Sequence, residues 1–455
     1  MMKGGMSTRF VLVLALGTLL FFPGIAPPLA AQDDFGFGFS DEEAEKDSGS
    51  GGALSGASFG TVSIGGEVSA SFTGFVSDFS DAAKVHLGDL LEAGINFSAS
   101  GNNADAVINL KFAPVFDGSS FPVAIDEAYL RAYFGGFDIE GGLRKLTWGK
   151  ADALGPLDVI NPLDFSDYTR MNDVADMKIA RPLIHASFRL GSFTKLEGVF
   201  VPVFQGHNFD TEGRWKDARM DELQNYPSVS MNYADTQSMR YAQAGLRFTT
   251  SIGKTDVGAQ YFYGNLFQPA HTINLIWDPF SADVRLDYNR YHQIGVDYAR
   301  VAAGFNIRAE AAANITEDLE GDDGAVYNPS LAWSLGFDRD LPWGINLNVE
   351  GLGSLRLLDD KVGDFPFDIE GDADMTATRI IISLTKSFLR DTLEFRASGI
   401  WEIEEKGCIL MPSITWTKGD VALVLSAGIF AGDKEGQFGQ YHGNSFLKAG
   451  ISYTF

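Results

Sequence analysis

The chain has 455 residues, of which 60 are acidic and 35 are basic, so its formal net charge is -25 at pH 7. This excess of acid argues against nucleic-acid binding, which requires basic patches. Cys408 is the only cysteine, which excludes an intramolecular disulfide framework. After residue 31, no uninterrupted apolar stretch reaches the roughly 20 residues that a membrane-spanning helix needs.

The first 31 residues have the pattern of a cleaved secretory signal peptide. Lys3 and Arg9 form a short basic region, an apolar run covers residues 10–22, and small residues precede Gln32. The next segment, 32–59, combines phenylalanines, an acidic run and a Ser/Gly-rich stretch, which predicts a flexible acidic leader in the periplasm. The remainder, 60–455, is predicted to be one β-domain.

Long stretches of this domain alternate strictly between apolar and polar residues. Residues 345–357, 393–404 and 305–315 are clear examples. In the first of them, one face carries Ile345, Leu347, Val349, Gly351, Gly353, Leu355 and Leu357. A soluble β-sandwich also alternates, but its strands are usually about 5 or 6 residues long, whereas these run to about 10 to 13. We therefore expect an all-β fold: a transmembrane antiparallel up-and-down barrel, in which every backbone group is paired and inward positions are mostly polar.

About eighteen such strands can be counted, an even number as expected for a bacterial barrel, with 16 and 20 as the alternatives. They are predicted near 61–76, 84–99, 104–116, 124–134, 137–147, 180–190, 193–204, 239–250, 255–267, 290–300, 303–316, 328–338, 344–357, 376–388, 391–404, 408–417, 420–430 and 444–455. Short turns alternate along the chain with longer connections. The longest connections, including 148–179, 205–238 and 268–289, are all predicted on the external side.

The third external connection, 148–179, carries the most specific pattern. Trp148-Gly149-Lys150 precedes Asp152, and Asp158 is followed by Ile160, Asn161, Pro162 and Asp164. Asn161 could cap a short helix that has Pro162 at its first position. The pattern resembles motifs of porin-like outer-membrane families. The C-terminal Phe455 is similar to the aromatic signal that bacterial barrel-assembly machinery recognises.

This resemblance implies passive transport across an outer membrane, with outer-membrane lipid, the assembly machinery and small polar solutes as partners. In trimeric porins the third loop folds into the lumen, and we expect the same of 148–179 here. A homo-oligomer is one alternative for the assembly state. The candidate constriction residues on the loop are Lys150, Asp152, Asp158, Asp164, Asp167, Arg170, Asp173 and Asp176. The opposite wall would carry Arg131, Arg144, Arg189, Arg247, Arg308, Arg356, Arg379 and Arg396.

An acidic loop facing a basic wall would create a transverse field that favours polar solutes. The alternative is that these arginines pair with carboxylates on neighbouring strands, such as Glu127, Glu140, Glu197, Glu310 or Glu402. Ion selectivity therefore stays open at this stage.

Three functions remain in view. The first is a porin for passive diffusion of small hydrophilic solutes, with loop 148–179 constricting a water-filled lumen. The second is a channel for hydrophobic substrates of the fatty-acid type, and the third is a non-conducting structural or adhesive barrel. The six histidines have no metal-ligand spacing and no nucleophile–base pattern is evident, so we expect neither an enzyme nor a metal or cofactor.

Overall fold

The structure is a computed structural model that describes residues 61–78, 91–113, 123–152, 155–172, 174–217, 228–277 and 280–455. The predicted signal peptide and leader lie outside the described residues, as does the candidate Asp173. Among the described residues, no helix is both long enough and apolar enough to cross a bilayer.

Eighteen long strands form the main sheet. They are β1 (Thr61–Phe75), β2 (Leu91–Ser100), β3 (Ala104–Phe112), β4 (Val123–Phe134), β5 (Phe137–Arg144), β7 (Arg181–Arg189), β8 (Thr194–Val201), β11 (Gln243–Ile252), β12 (Thr255–Asn265), β15 (Arg290–Ala302), β16 (Phe305–Thr316), β17 (Ser330–Leu341), β18 (Ile345–Arg356), β19 (Thr376–Phe388), β20 (Leu393–Glu402), β21 (Cys408–Lys418), β22 (Val421–Ala431) and β23 (Phe446–Thr454).

The remaining described elements lie outside the main sheet, in the connections between its strands. The strands are β6 (Asp164–Phe165), β9 (Asn208–Phe209), β10 (Val229–Tyr233), β13 (Ala270–Trp277) and β14 (Phe280–Asp287). The helices are one α-helical turn, Val174–Met177, and five short 3-10 segments: Val76–Asp78, Tyr168–Arg170, Met239–Tyr241, Asp359–Lys361 and Gly439–Asn444.

The eighteen-stranded sheet is closed. Each long strand pairs antiparallel with the next long strand along the chain, and β1 completes the ring by pairing with both β2 and β23. At the closing seam, Glu67 is level with Thr454 and Phe75 is level with Phe446. The sequence-based prediction of an antiparallel barrel with eighteen strands is confirmed, and each predicted segment overlaps one of these strands. Closure leaves no unpaired sheet edge.

The two faces of the barrel wall have opposite chemistry. On β15, the side chains of Ile294 and Val296 are 55% and 53% exposed, whereas Gln293 and Asp297 are 0% and 4% exposed. Apolar residues are thus outside and polar residues inside, the reverse of a soluble protein.

One sector of the inward wall departs from the predicted polar lining. Leu352, Ile381, Ile400, Met411 and Phe430, on successive strands from β18 to β22, are inward and at most 4% exposed. These positions interrupt an otherwise polar inward face, and in the structure they pack against side chains of the long connections. The sequence pattern missed this sector because isolated apolar residues on a polar face carry no periodic signal.

Candidate functional site

The connection between β5 and β7 folds back into the barrel, and Asn161 joins its two ends. The Asn161 side-chain oxygen accepts a hydrogen bond from the Leu146 backbone N–H over 2.7 Å. Its amide nitrogen donates to the carbonyl oxygens of Arg144 (3.0 Å) and Ile179 (2.9 Å). The prediction that Asn161 caps a helix starting at Pro162 was wrong, because its side chain is fully engaged in bridging two backbone segments and no helix begins there.

Glu310 anchors the first part of this loop from the barrel wall. It lies on β16, which β7, β8, β11, β12 and β15 separate from β5 around the barrel. Its Oε1 accepts the backbone N–H groups of Lys150 and Ala151, the latter over 2.8 Å, and its Oε2 accepts that of Leu157 over 3.2 Å. With 4% exposure, this carboxylate is almost entirely enclosed by the loop.

Two glycines of the loop, one of them in the sequence motif, make room for that carboxylate. A Cβ atom on Gly149 or on Gly155 would collide with the Glu310 carboxylate oxygens. Gly149 also has a φ of 104°, which L-residues rarely adopt. Both glycines are therefore explained by the close approach of the loop backbone to a buried carboxyl group.

Amide side chains on β12 and β15 hold the same stretch of the loop. Gln260 of β12 donates to the carbonyl oxygen of Leu157 over 2.9 Å, and Gln293 of β15 donates to that of Pro156 over 2.9 Å. Gln260 also donates to Gln293, so the two amides form a connected network. Buried amide groups need hydrogen-bond partners, and here the loop backbone supplies them.

Asp152 is the loop candidate that meets a predicted wall arginine. It forms an ion pair with Arg308 of β16, and the Asn348 amide of β18 donates to its Oδ2 over 2.7 Å. Arg308 also contacts Asp338 over 2.5 Å. The loop is thereby tied directly to β16 and β18, and Asp338 of β17 holds the arginine between them.

Three other loop candidates have partners within the loop, and one of them also contacts the connection between β8 and β11. Asp158 is 3% exposed and forms a buried ion pair with Lys178. Asp164 accepts from the Ser166 hydroxyl (2.6 Å) and from the Asn208 amide (2.8 Å). Asp167 accepts the Thr169 backbone N–H over 2.9 Å at the start of the 3-10 turn. These carboxylates fix local backbone shape.

The second half of the loop packs on the apolar sector of the wall. Phe165, Tyr168, Met171 and Met177 join the cluster that contains Leu352 and its neighbours. The backbone N–H of Leu163 donates to Nδ1 of His207 over 2.9 Å. Burial lowers the pKa of His207 to about 3, so its ring stays neutral and can accept this hydrogen bond.

The last loop candidates face the wall on the other side of the interior. Asp176 lies 3.4 Å from the ammonium of Lys111 on β3, and Arg170 donates to the Asp176 carbonyl oxygen over 3.2 Å. Lys111 also lies 3.4 Å from Asp126, which in turn is 2.9 Å from Lys145. Lys111, an inward position of a predicted strand, was not among the sequence candidates, because only arginines were chosen for the wall.

The other predicted wall arginines contact carboxylates of the wall or of a connection close to it. These pairs are Arg131–Glu140 (2.9 Å), Arg144–Glu140 (3.2 Å), Arg189–Asp138 (3.4 Å), Arg247–Asp297 (2.6 Å), Arg356–Asp359 (2.5 Å), Arg379–Glu402 (2.7 Å) and Arg396–Glu394 (3.3 Å). Arg308, in contrast, pairs with the loop carboxylate Asp152 as well as with Asp338 of β17. The alternative interpretation, pairing between neighbouring strands, describes most of this set.

A second connection, between β8 and β11, also reaches far around the barrel. Arg214 forms an ion pair with Asp78 and lies 3.9 Å from the centre of the Phe75 ring. The Tyr441 hydroxyl donates to the carbonyl oxygen of Trp215 over 2.8 Å. Both long connections therefore cross the barrel and are fixed at their far ends.

Phe455 lies at the β1 seam. Its backbone exchanges two hydrogen bonds of 2.9 Å with Gly66, and its ring occupies the space that a Gly66 Cβ would need. Within the described ranges, no group of three or more His, Cys, Asp or Glu residues is arranged to hold a metal ion.

No known family model and no curated protein matches this sequence. Among solved structures, OccAB3 of Acinetobacter baumannii is similar with 10% identity and a TM-score of 0.47 over 87% of this chain and 99% of that chain. Wzi of Escherichia coli, a carbohydrate-binding outer-membrane β-barrel involved in capsule assembly, has 11% identity and a TM-score of 0.46 over 86% and 84%. The outer membrane channel DcaP of Acinetobacter baumannii has 12% identity and a TM-score of 0.40 over 87% and 97%. At such identities the function of the chain has to be argued from its own residues.

Proposed function

We propose that this protein is an outer-membrane porin that allows passive diffusion of small hydrophilic solutes. One observation carries the proposal: a closed barrel with an apolar outer face and a polar inner face holds a long loop inside itself. The outer face suits contact with lipid, and the inner face suits contact with water. On this view the signal peptide directs export and Phe455 is the assembly signal.

In this proposal, loop 148–179 sets the width of the lumen. Its attachment to Glu310, to Asn348 through Asp152, and to the Gln260–Gln293 pair keeps it at a fixed distance from the wall. A loop fixed in this way narrows the path without closing it. Among the described contacts of the loop, none pairs a catalytic nucleophile with a base, and we propose transport and no enzymatic activity.

The test is reconstitution of the folded full-length protein in a planar bilayer, with conductance measured in steps. We expect open channels with ohmic conductance that small sugars or amino acids partly reduce. Folding is checked by the heat-modifiable mobility typical of barrels. Silence from the folded protein would contradict the proposal and favour a structural or adhesive barrel.

A second function has one specific observation in its favour. The apolar sector around Leu352, Ile381 and Phe430 would offer a hydrophobic surface if the loop were displaced. A channel for fatty-acid-like substrates would bind there. Saturable block of the conductance by a long-chain fatty acid, absent with a short-chain acid of equal charge, would favour that function over a general porin.

A further inference from the structure

The two sides of the barrel interior differ in how far the long connections cover them. On one side, Gln293, Glu310 and Ser398 are at most 4% exposed although they face inward. On the other side, the inward residues Glu67 and Glu92 are exposed. The described attachments of the loop lie mostly on β11 to β22, and Asp176 reaches Lys111 on β3. The accessible space along the described wall therefore lies off-centre, beside β1 to β4.

The strand register defines a row of adjacent inward residues across this accessible wall. Glu67 on β1 is level with Gly94 on β2, which is level with Lys111 on β3. Glu92 faces inward two residues from Gly94 on the same strand and is level with Ser69 of β1. A Cβ on Gly94 would meet only the Leu110 carbonyl oxygen, at 3.9 Å, so this glycine leaves open space between a carboxylate and a lysine.

Charges along this row are not balanced. Lys111 lies within 3.4 Å of both Asp126 and Asp176, and Lys145 lies 2.9 Å from Asp126. Among the described residues, no basic side chain forms an ion pair with Glu67 or Glu92. Lys448 on β23 faces inward near the seam and has no described carboxylate partner. It is level with Thr73 of β1, farther along that strand than Glu67.

We propose that ions cross through this off-centre passage beside β1 to β4, and that Glu67 and Glu92 make it prefer small cations, including the ammonium groups of small amines. The inference rests on the proposed porin function. Fixed carboxylates without a counter-charge raise the local concentration of cations, and they act most strongly where low-dielectric walls confine the field. Lys111, already shared by two carboxylates, offers little compensation.

The first measurement is the reversal potential of single channels in a potassium chloride gradient. We expect a cation preference that falls about two- to threefold in the variant with both Glu67→Gln and Glu92→Gln. The matched control, Glu317→Gln with Glu320→Gln, removes the same charge from an exposed connection and should leave the ratio unchanged. The preference should also weaken in concentrated salt, because the Debye length falls to about 3 Å at 1 M.

A steric variant tests the position of the passage independently of charge. Gly94→Phe places a large side chain in the open row, whereas Gly399→Phe adds the same side chain on the outer face of β20. We expect Gly94→Phe alone to lower the conductance, to about half or less. Both variants should keep the heat-modifiable mobility of the folded barrel.

The outcomes separate this inference from the function on which it rests. If the wild-type protein conducts but the carboxylate variant keeps its ion preference and Gly94→Phe keeps its conductance, the off-centre passage is wrong and the porin proposal stands. If the folded wild-type protein conducts no ions, the porin proposal fails and the passage fails with it. A changed ion preference together with a reduced conductance would support both.

Discussion

Glu310 on the barrel wall accepts a hydrogen bond of 2.8 Å from the backbone N–H of Ala151 in the long loop. Two further N–H groups, of Lys150 and Leu157, point at the same carboxylate. One buried side chain thus accepts three backbone N–H groups of the loop, and its removal would leave all three without that partner. The position of the loop therefore depends in part on a side chain of a strand that is distant in the sequence.

Replacing Glu310 by glutamine should release this attachment. The amide retains one acceptor oxygen and presents an NH2 group to backbone donors, so at least one N–H group loses its partner. We expect a loss of about 2 kcal/mol or more in the free energy of unfolding, measured by urea titration in lipid vesicles. Under the porin proposal, single-channel recordings should show a larger and noisier conductance.

The control for this variant is Glu394→Gln. Glu394 also faces inward, but it pairs with Arg396 at 3.3 Å and its side chain is 37% exposed, away from the loop contacts. Its replacement should change the free energy of unfolding by no more than about 0.5 kcal/mol. Equal effects of the two substitutions would mean that the Glu310 attachment does not hold the loop.

Gly149→Ala tests the contact between the loop and Glu310 from the loop side. The added Cβ would strike the Glu310 carboxylate, and alanine would be strained at a φ of 104°. Gly135→Ala is the matched control, since Gly135 has a φ of 75° in a turn and no atom within 4 Å of the added Cβ. We expect a loss of about 1 kcal/mol for Gly135→Ala and of about 2–4 kcal/mol for Gly149→Ala in urea titrations. Equal losses would show that backbone strain alone explains both glycines.

The strands were predictable because their signal is local. In a barrel wall the side chains alternate between lipid-facing and inward positions, and a run such as 345–357 shows that alternation within a dozen residues. The alternation of short turns with longer connections along the chain then assigned the short ones to one side of the barrel and the long ones to the other. Both features depend only on residues that are neighbours in the chain.

The site was only partly predictable because its contacts join distant segments. Glu310 looked like one more carboxylate available to a neighbouring arginine, although its partners are the N–H groups of residues more than 150 positions earlier. Lys111 lacked any motif of its own, and only the fold brings Asp176 within 3.4 Å of it. Asn161 preceded a proline and therefore resembled a helix cap, but tertiary hydrogen bonds determined its role.

Asn161 gives a prediction that distinguishes bridging from capping. Aspartate is as good as asparagine at a helix N-cap, but it cannot donate to the carbonyl oxygens of Arg144 and Ile179. Asn161→Asp should therefore destabilise the protein by about 2–4 kcal/mol in urea titrations, at least as much as Asn161→Ala, because it also buries a charge. The exposed Asn274→Asp should change stability by no more than about 0.5 kcal/mol. Tolerance of aspartate at position 161 would contradict the bridging role.

Glu370 provides a prediction on pH dependence, and it lies in the connection between β18 and β19. It is 1% exposed, its Oε2 accepts the Asn328 backbone N–H over 2.8 Å, and Arg356 lies 3.9 Å from its Oε1. Burial raises the pKa of Glu370 to about 7, with nearby Asp368 adding to the shift, although Arg356 and the Asn328 N–H oppose it.

Because the folded pKa of Glu370 lies above the ordinary value of 4.5, the folded protein binds more protons than the unfolded chain between these two values. The stability that this group contributes is fully present below pH 4.5 and is lost as pH rises through about 7. Glu370→Gln keeps the neutral shape at every pH, so relative to the wild-type protein it should gain stability as pH rises from about 5 to 8, on the order of 3 kcal/mol at most. Urea titrations of both proteins across this range measure the difference. The exposed Glu320→Gln should show no such trend, and parallel wild-type and Glu370→Gln profiles would mean that Glu370 ionises as readily in the folded protein as in the unfolded chain.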